Sequence, residues 1–116
     1  MGGWKYPVLQ NIGGPYKILC KPWSLMGYSL PEGFVTDLAS VPSIVKWYAD
    51  DDDDLQAAAI LHDWVYDKGN CTRREADGLF YEAMVYTGIR RSKAWICWLA
   101  VRVGGRRAWR RHRNEE

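Results

Sequence analysis

No stretch of the 116-residue sequence approaches the roughly 18 consecutive apolar residues that a membrane-spanning helix needs. The opening residues, MGGWKYPVLQ, have neither the charged segment nor the apolar run of a secretory signal. Both absences lead to the expectation of a soluble chain made in the cytoplasm. Cysteine is scarce as well: Cys20, Cys71 and Cys97 are odd in number, widely spaced and without a C-x-x-C pair. That argues against a disulfide scaffold or a zinc ribbon, and favours small buried or half-buried thiols. His62 and His112 are the two histidines, and zinc needs more His or Cys ligands than such a chain can bring together. Glycine-rich phosphate loops of the Walker or dinucleotide type are missing, so nucleotide binding has no support. Ser40 and Ser43 lack the context of a nucleophile elbow.

What is present describes a globular protein, with 47% hydrophobic and 26% charged residues. The length suits a single domain over 1–116, since cores divide only beyond about 250 residues. Seven Trp and seven Tyr supply large buried area, and such residues also concentrate at interfaces. The net charge of +2 hides a lopsided distribution. Asp50 to Asp54 is an unbroken acidic run, while Arg90 to Arg113 holds nine basic residues and no acidic one. Asymmetry of this kind points to an electrostatically oriented contact.

Residues 1–36 read as β and turn. Gly13-Gly14-Pro15 marks a turn before a short strand, Tyr16 to Cys20, which Pro22 ends or confines to an edge. Ser24 to Leu30 is a second candidate strand, and Pro31-Glu32-Gly33 turns into Phe34-Val35-Thr36. Residues 41–104 read as helical. Ser40 suits an N-cap and Pro42 a first turn for a helix carrying Ile44, Val45, Trp47 and Tyr48. A second helix runs from about Asp54 to Asp67, with Ala58, Leu61, Val65 and Tyr66 on one stripe. Its leading aspartates match the positive end of the helix dipole. Gly69-Asn70 ends it, and Thr72-Arg73-Arg74-Glu75 is a capping box for a third helix bearing Ala76, Leu79, Phe80, Ala83 and Met84. The fourth, Ser92 to about Val103, is apolar nearly all round, which predicts burial on more than one side. The expected class is α+β: a small N-terminal antiparallel sheet or hairpins packed on a three- to four-helix C-terminal bundle.

The polar residues of the helical region form the candidate site. His62 and Tyr66, four apart, project from one face of the second helix, and Asp63 points about 100° away. Asp77 sits beside the apolar stripe of the third helix. A short connection between the two helices predicts an antiparallel hairpin, which would set Asp77 against His62. A carboxylate there fixes the imidazole tautomer and raises the basicity of the other ring nitrogen, as a general base requires. The same pair is equally a common way to satisfy a buried histidine.

Three blocks carry a family likeness: Pro31-Glu32-Gly33-Phe34-Val35-Thr36-Asp37-Leu38-Ala39-Ser40-Val41-Pro42, Leu61-His62-Asp63-Trp64-Val65-Tyr66, and Arg74-Glu75-Ala76-Asp77. Together they resemble a small family of phage and prophage proteins, the domain of unknown function 1353, over roughly Gly27 to Gly104. The resemblance implies a phage or prophage origin, with phage structural proteins as partners and association with the virion after synthesis in the host cytoplasm. It implies no activity. The His-Asp-x-x-Tyr helix followed by an Asp-bearing helix also resembles phospholipase A2, especially the compact viral capsid form. On that likeness His62 would activate water and Asp63 would bind calcium, with Tyr66 and Asp77 supporting them. Asp37 would supply a further calcium ligand. The glycine-rich calcium loop of that superfamily has no match before the second helix, and its paired half-cystines are absent.

Two functions of different classes are therefore expected. One is an interaction or structural component of a virion or its assembly. The other is a calcium-dependent acyl-ester hydrolase, with calcium as its cofactor. Beyond the fourth helix, residues 105–116 form a basic tail. Arg106, Arg107, Arg110, Arg111 and Arg113 with Trp109 would serve as a partner-binding segment for protein, nucleic acid or membrane.

Overall fold

The computed structural model describes residues 5–38, 41–49, 51–69 and 71–104. The chain divides into two compact units, residues 1–37 and 38–116. The arrangement is α+β, with antiparallel strands in the first unit and four helices in the second.

In the first unit, β1 (Leu9–Gly13) and β2 (Tyr16–Leu19) form a hairpin in which Gly13 ends the first strand and Gly14-Pro15 makes the turn. Both glycines have positive φ, 118° and 56°, a conformation in which a Cβ would be strained. The short strand β5 (Val35–Thr36) pairs with the other edge of β2 and gives the order β1-β2-β5. A separate hairpin joins β3 (Trp23–Leu25) to β4 (Tyr28–Leu30). Alternation is clear there: Trp23 and Leu25 are buried, whereas Ser24 points outward and meets Ser29 across the pair at 3.2 Å. The two residues between these strands, Met26 and Gly27, have φ of 52° and 84°. Positive φ at both positions belongs to the tight hairpin turns that match strand twist. The candidate strand Ser24 to Leu30 is therefore two strands, hidden by an uncommon methionine at a left-handed turn position.

In the second unit the helices are α1 (Ser43–Ala49), α2 (Asp53–Lys68), α3 (Arg73–Thr87) and α4 (Arg91–Gly104). The acidic run has a local explanation. Asp52 caps α2, its side chain accepting from Leu55 N at 3.1 Å, and Asp53 and Asp54 occupy the first turn. Lys93 reaches Asp52 from α4 at 3.0 Å. Burial would push the Asp52 carboxyl up, but Lys93 and the backbone donors outweigh it and hold it below its ordinary value. At the far end Gly69, at φ 66°, donates to Val65 O and closes the helix. The capping box of α3 is formed in both directions: Glu75 N donates to Thr72 Oγ1 at 3.1 Å and Thr72 N to Glu75 Oε1 at 2.8 Å.

Two expectations about the helices change. The helix buried on more than one side is α2, where every residue from Ala57 to Asp63 is buried. Its three successive alanines, 57 to 59, let neighbours approach from several directions, and it packs against both α1 and α3. By contrast α4 buries Ala94, Cys97 and Val101 and exposes Trp95, Ile96, Leu99 and Val103. Its sequence is apolar all round, yet its small side chains are the ones that face inward. Ser40, expected to cap α1, lies outside the described residues. Among those residues no helix is long and apolar enough to cross a membrane.

Candidate functional site

The α2–α3 hairpin forms as expected, and it places His62, Tyr66 and Asp77 together in the interior. All three are fully buried, at 0% exposure. The helical spacing of His62 and Tyr66 puts both side chains on the α3 side of α2. Their rings lie 4.3 Å apart between centroids, tilted by 43°, and Phe80, one turn beyond Asp77 on α3, lies against His62 at 4.9 Å. The histidine is thus sealed by Tyr66 and Phe80.

Asp77 is the centre of the arrangement. Its Oδ1 lies 2.8 Å from His62 Nε2 and accepts from the Tyr66 hydroxyl at 2.9 Å. Its Oδ2 accepts from Arg102 at 2.9 Å and, more weakly, from Arg73 at 3.4 Å. Arg73 also donates to the backbone carbonyl of Arg102 at 3.2 Å, joining the start of α3 to the end of α4. Four donors from α2, α3 and α4 converge on one carboxylate. Burial alone would push this carboxyl up, but the hydrogen bonds and charge around it prevail, His62 first among them. They hold it below the usual carboxylate range. An ionised carboxylate can only accept, so His62 Nε2 carries the proton in this contact. Burial and the adjacent Asp77 charge both push the Tyr66 phenol well above its ordinary value, so it remains a neutral donor.

Arg73 and Arg102 complete the network without any sequence motif to announce them. Arg73 had one available signal, its position four residues before Asp77 on the same helical face. Arg102 had a weaker one, as the cation in the last turn of α4 after the apolar run from Ala94 to Val101. Neither signal says that the side chain turns inward rather than toward water.

The expected calcium ligands fare differently. Asp63 is buried on α2, and Asp37 belongs to the first unit with intermediate exposure. Calcium takes six to eight oxygen ligands. Both oxygens of Asp77 are engaged, two of their donors being guanidinium groups that oppose a nearby cation. Among the described residues, no three His, Cys, Asp or Glu side chains are grouped to hold a metal. Arg106, Arg107, Trp109, Arg110, Arg111 and Arg113, expected to bind a partner, lie outside the described residues.

A relative in Sinorhizobium fredii, named "Uncharacterized protein y4iH", is 30% identical over 84 residues, which are 71% of this chain. The chain spans about a third of that relative's length, 35%. No solved structure matches the chain. A family model covers residues 19–101, a segment that contains α1, α2, α3 and most of α4 together with His62, Tyr66, Arg73 and Asp77, and by that match the chain belongs to the family described as Protein of unknown function (DUF1353).

Proposed function

We propose that this protein is a structural or interaction module of a phage- or prophage-encoded assembly, and that its histidine–aspartate cluster holds the helices together. What carries this reading is the sealed, saturated state of Asp77 and His62: both are at 0% exposure, and four donors occupy the two carboxylate oxygens. A general base has to reach a water beside its substrate, whereas a buried polar network has to be fully paired. The second requirement is the one this cluster meets. The phage setting rests on the sequence blocks around Asp37, His62 and Asp77.

The test compares wild type with His62→Ala in two assays. One is fatty-acid release from phospholipid vesicles, with calcium and with chelator; the other is unfolding in urea. The module reading expects no release by either protein and a His62→Ala variant destabilised by about 2–4 kcal/mol. Calcium-dependent release that disappears in the variant would sink it. Detection of the chain in purified particles after prophage induction tests the setting.

One observation favours the second reading, a hydrolase resembling phospholipase A2. His62 and the Tyr66 hydroxyl share a single oxygen of Asp77, and a histidine oriented by a buried carboxylate is an arrangement that such hydrolases use. The same vesicle assay decides between the two.

A further inference from the structure

Helix α4 is held by its ends more than by its middle. Facing inward it buries Ala94, Cys97 and Val101, with Trp98 half-buried beside them. By contrast α2 buries ten residues, Leu55, Ile60, Leu61 and Tyr66 among them. Burial stabilises in proportion to the apolar area removed from water, so the seam under α4 contributes far less than the core around α2. The connection from α3 is short, residues 88–90, and it starts at Gly88 with a left-handed φ of 118°.

Charge supplies the rest of the hold. In the first turn Lys93 reaches Asp52, the cap of α2, at 3.0 Å, and its ammonium lies 5.8 Å from the ring of Tyr48 on α1. In the last turn Arg102 donates to Asp77 Oδ2 at 2.9 Å, while Arg73 donates to the Arg102 carbonyl at 3.2 Å. The cations sit at the rim: the Lys93 side chain is 42% exposed and that of Arg102 27%. Salt therefore reaches both pairs, although Asp77 itself is sealed. A short hinge, charged clips at both ends and a narrow apolar seam are the features of a unit that opens at less cost than global unfolding.

We infer that α4 is a charge-latched lid, which parts from α3 about residues 88–90 while α2 and α3 stay folded, uncovering the Cys97 thiol and taking Arg102 off Asp77. In the open form Asp77 Oδ2 keeps Arg73 and meets water, whereas His62 and Tyr66 remain on Oδ1. Salt opens the lid because it weakens the clips and not the apolar seam. The inference goes beyond the module reading: it concerns access to the network and does not depend on the role of His62.

The experiment treats the full chain with N-ethylmaleimide, an uncharged thiol reagent, and follows the peptide carrying Cys97 by mass spectrometry. Amide exchange across α4 and across residues 60–66 is read in parallel. Cys97 is 4% exposed, so it reacts from an open form. Its modification should be faster than global unfolding allows and should respond weakly to low urea, because opening α4 exposes little surface. It should accelerate as salt is raised. Arg102→Gln should speed it by about tenfold, as a lost charge-assisted hydrogen bond implies. Lys93→Gln should speed it by about twofold to fivefold. Lys93 pairs with Asp52 rather than Asp77, so this second variant tests the latch even where loss of Arg102 loosens the whole fold. Exchange over residues 60–66 should stay slow while α4 opens. Modification of Cys97 at the rate and urea slope of global unfolding overturns the inference, as does a rate that salt or Lys93→Gln leaves unchanged. So does exchange over residues 60–66 that quickens in step with Cys97 in Lys93→Gln, which would make α4 one cooperative unit with α2 and α3.

Discussion

Asp77 is buried with four donors on its two oxygens, and each donor comes from a side chain that has its own reason to be there. His62 and Tyr66 are fixed by the α2 stripe, Arg73 by its place one turn before Asp77, and Arg102 by the end of α4. Removing the charge leaves two guanidinium groups, an imidazole and a phenol around a neutral side chain. Asp77→Asn should therefore cost about 3 kcal/mol, below the upper range for a broken buried pair because both arginines retain some access to water. The shift in urea midpoint at constant slope measures it. Tyr66→Phe removes one donor and keeps the ring, so about 1–2 kcal/mol is expected from the same measurement.

The pH dependence follows from the same group. Asp77 is held below its ordinary value in the folded state, while in the unfolded chain it titrates near 3.9. Its contribution is complete above the unfolded value and is lost as pH falls through the folded one. Wild-type stability should drop on acidification below about pH 4, more steeply than that of Asp77→Asn. For Tyr66 the folded value is raised, so stability is intact below the ordinary phenol value near 10 and falls as pH rises past it. Tyr66→Phe should lose part of that alkaline decline. Urea titrations across both pH ranges check the two slopes.

At the scale of elements, helix boundaries were legible because their signals are local. The Thr72–Glu75 capping box, the aspartates at the α2 start and the closing Gly69 all mark ends that the structure has, and Gly88 closes α3. Thr72→Ala should lower stability by about 1 kcal/mol through the lost cap. Gly88 is stricter. Its φ is 118°, and a Cβ would meet Asp54 Oδ2 at 3.2 Å, so Gly88→Ala should cost more than 1 kcal/mol in thermal or urea unfolding. Burial was less legible than boundaries. An all-apolar helix reads as central, yet α4 shows its large residues to the outside and α2 takes the central place, because three small alanines permit close neighbours. The His62–Tyr66–Asp77 core of the site could be read from i, i+4 spacing and a short helix connection. Arg73 and Arg102 could not, since an arginine that turns inward looks in sequence like any surface cation.

The molecule as a whole is uneven in how firmly its parts are held. Helix α2 buries a long continuous stretch, α3 buries one face, and the two enclose much of the Asp77 network, whereas four of the five residues of β1 are exposed and the other strands run two to four residues. Local opening is easiest where few apolar contacts are broken and backbone hydrogen bonds lie near water. The two compact units should therefore differ in amide hydrogen exchange, β1 and β4 exchanging well before the middle of α2. Slowest of all should be Ile60 to Tyr66, whose opening exposes the network as well as the apolar core. In Asp77→Asn, protection in α2, α3 and the last turn of α4 should fall together, because the carboxylate ties these three helices, while protection in β1 and β2 should be unchanged. A fall confined to α3 would mean that Asp77 holds only its own helix, and the tie between α2 and α4 would have to be sought in the apolar contacts.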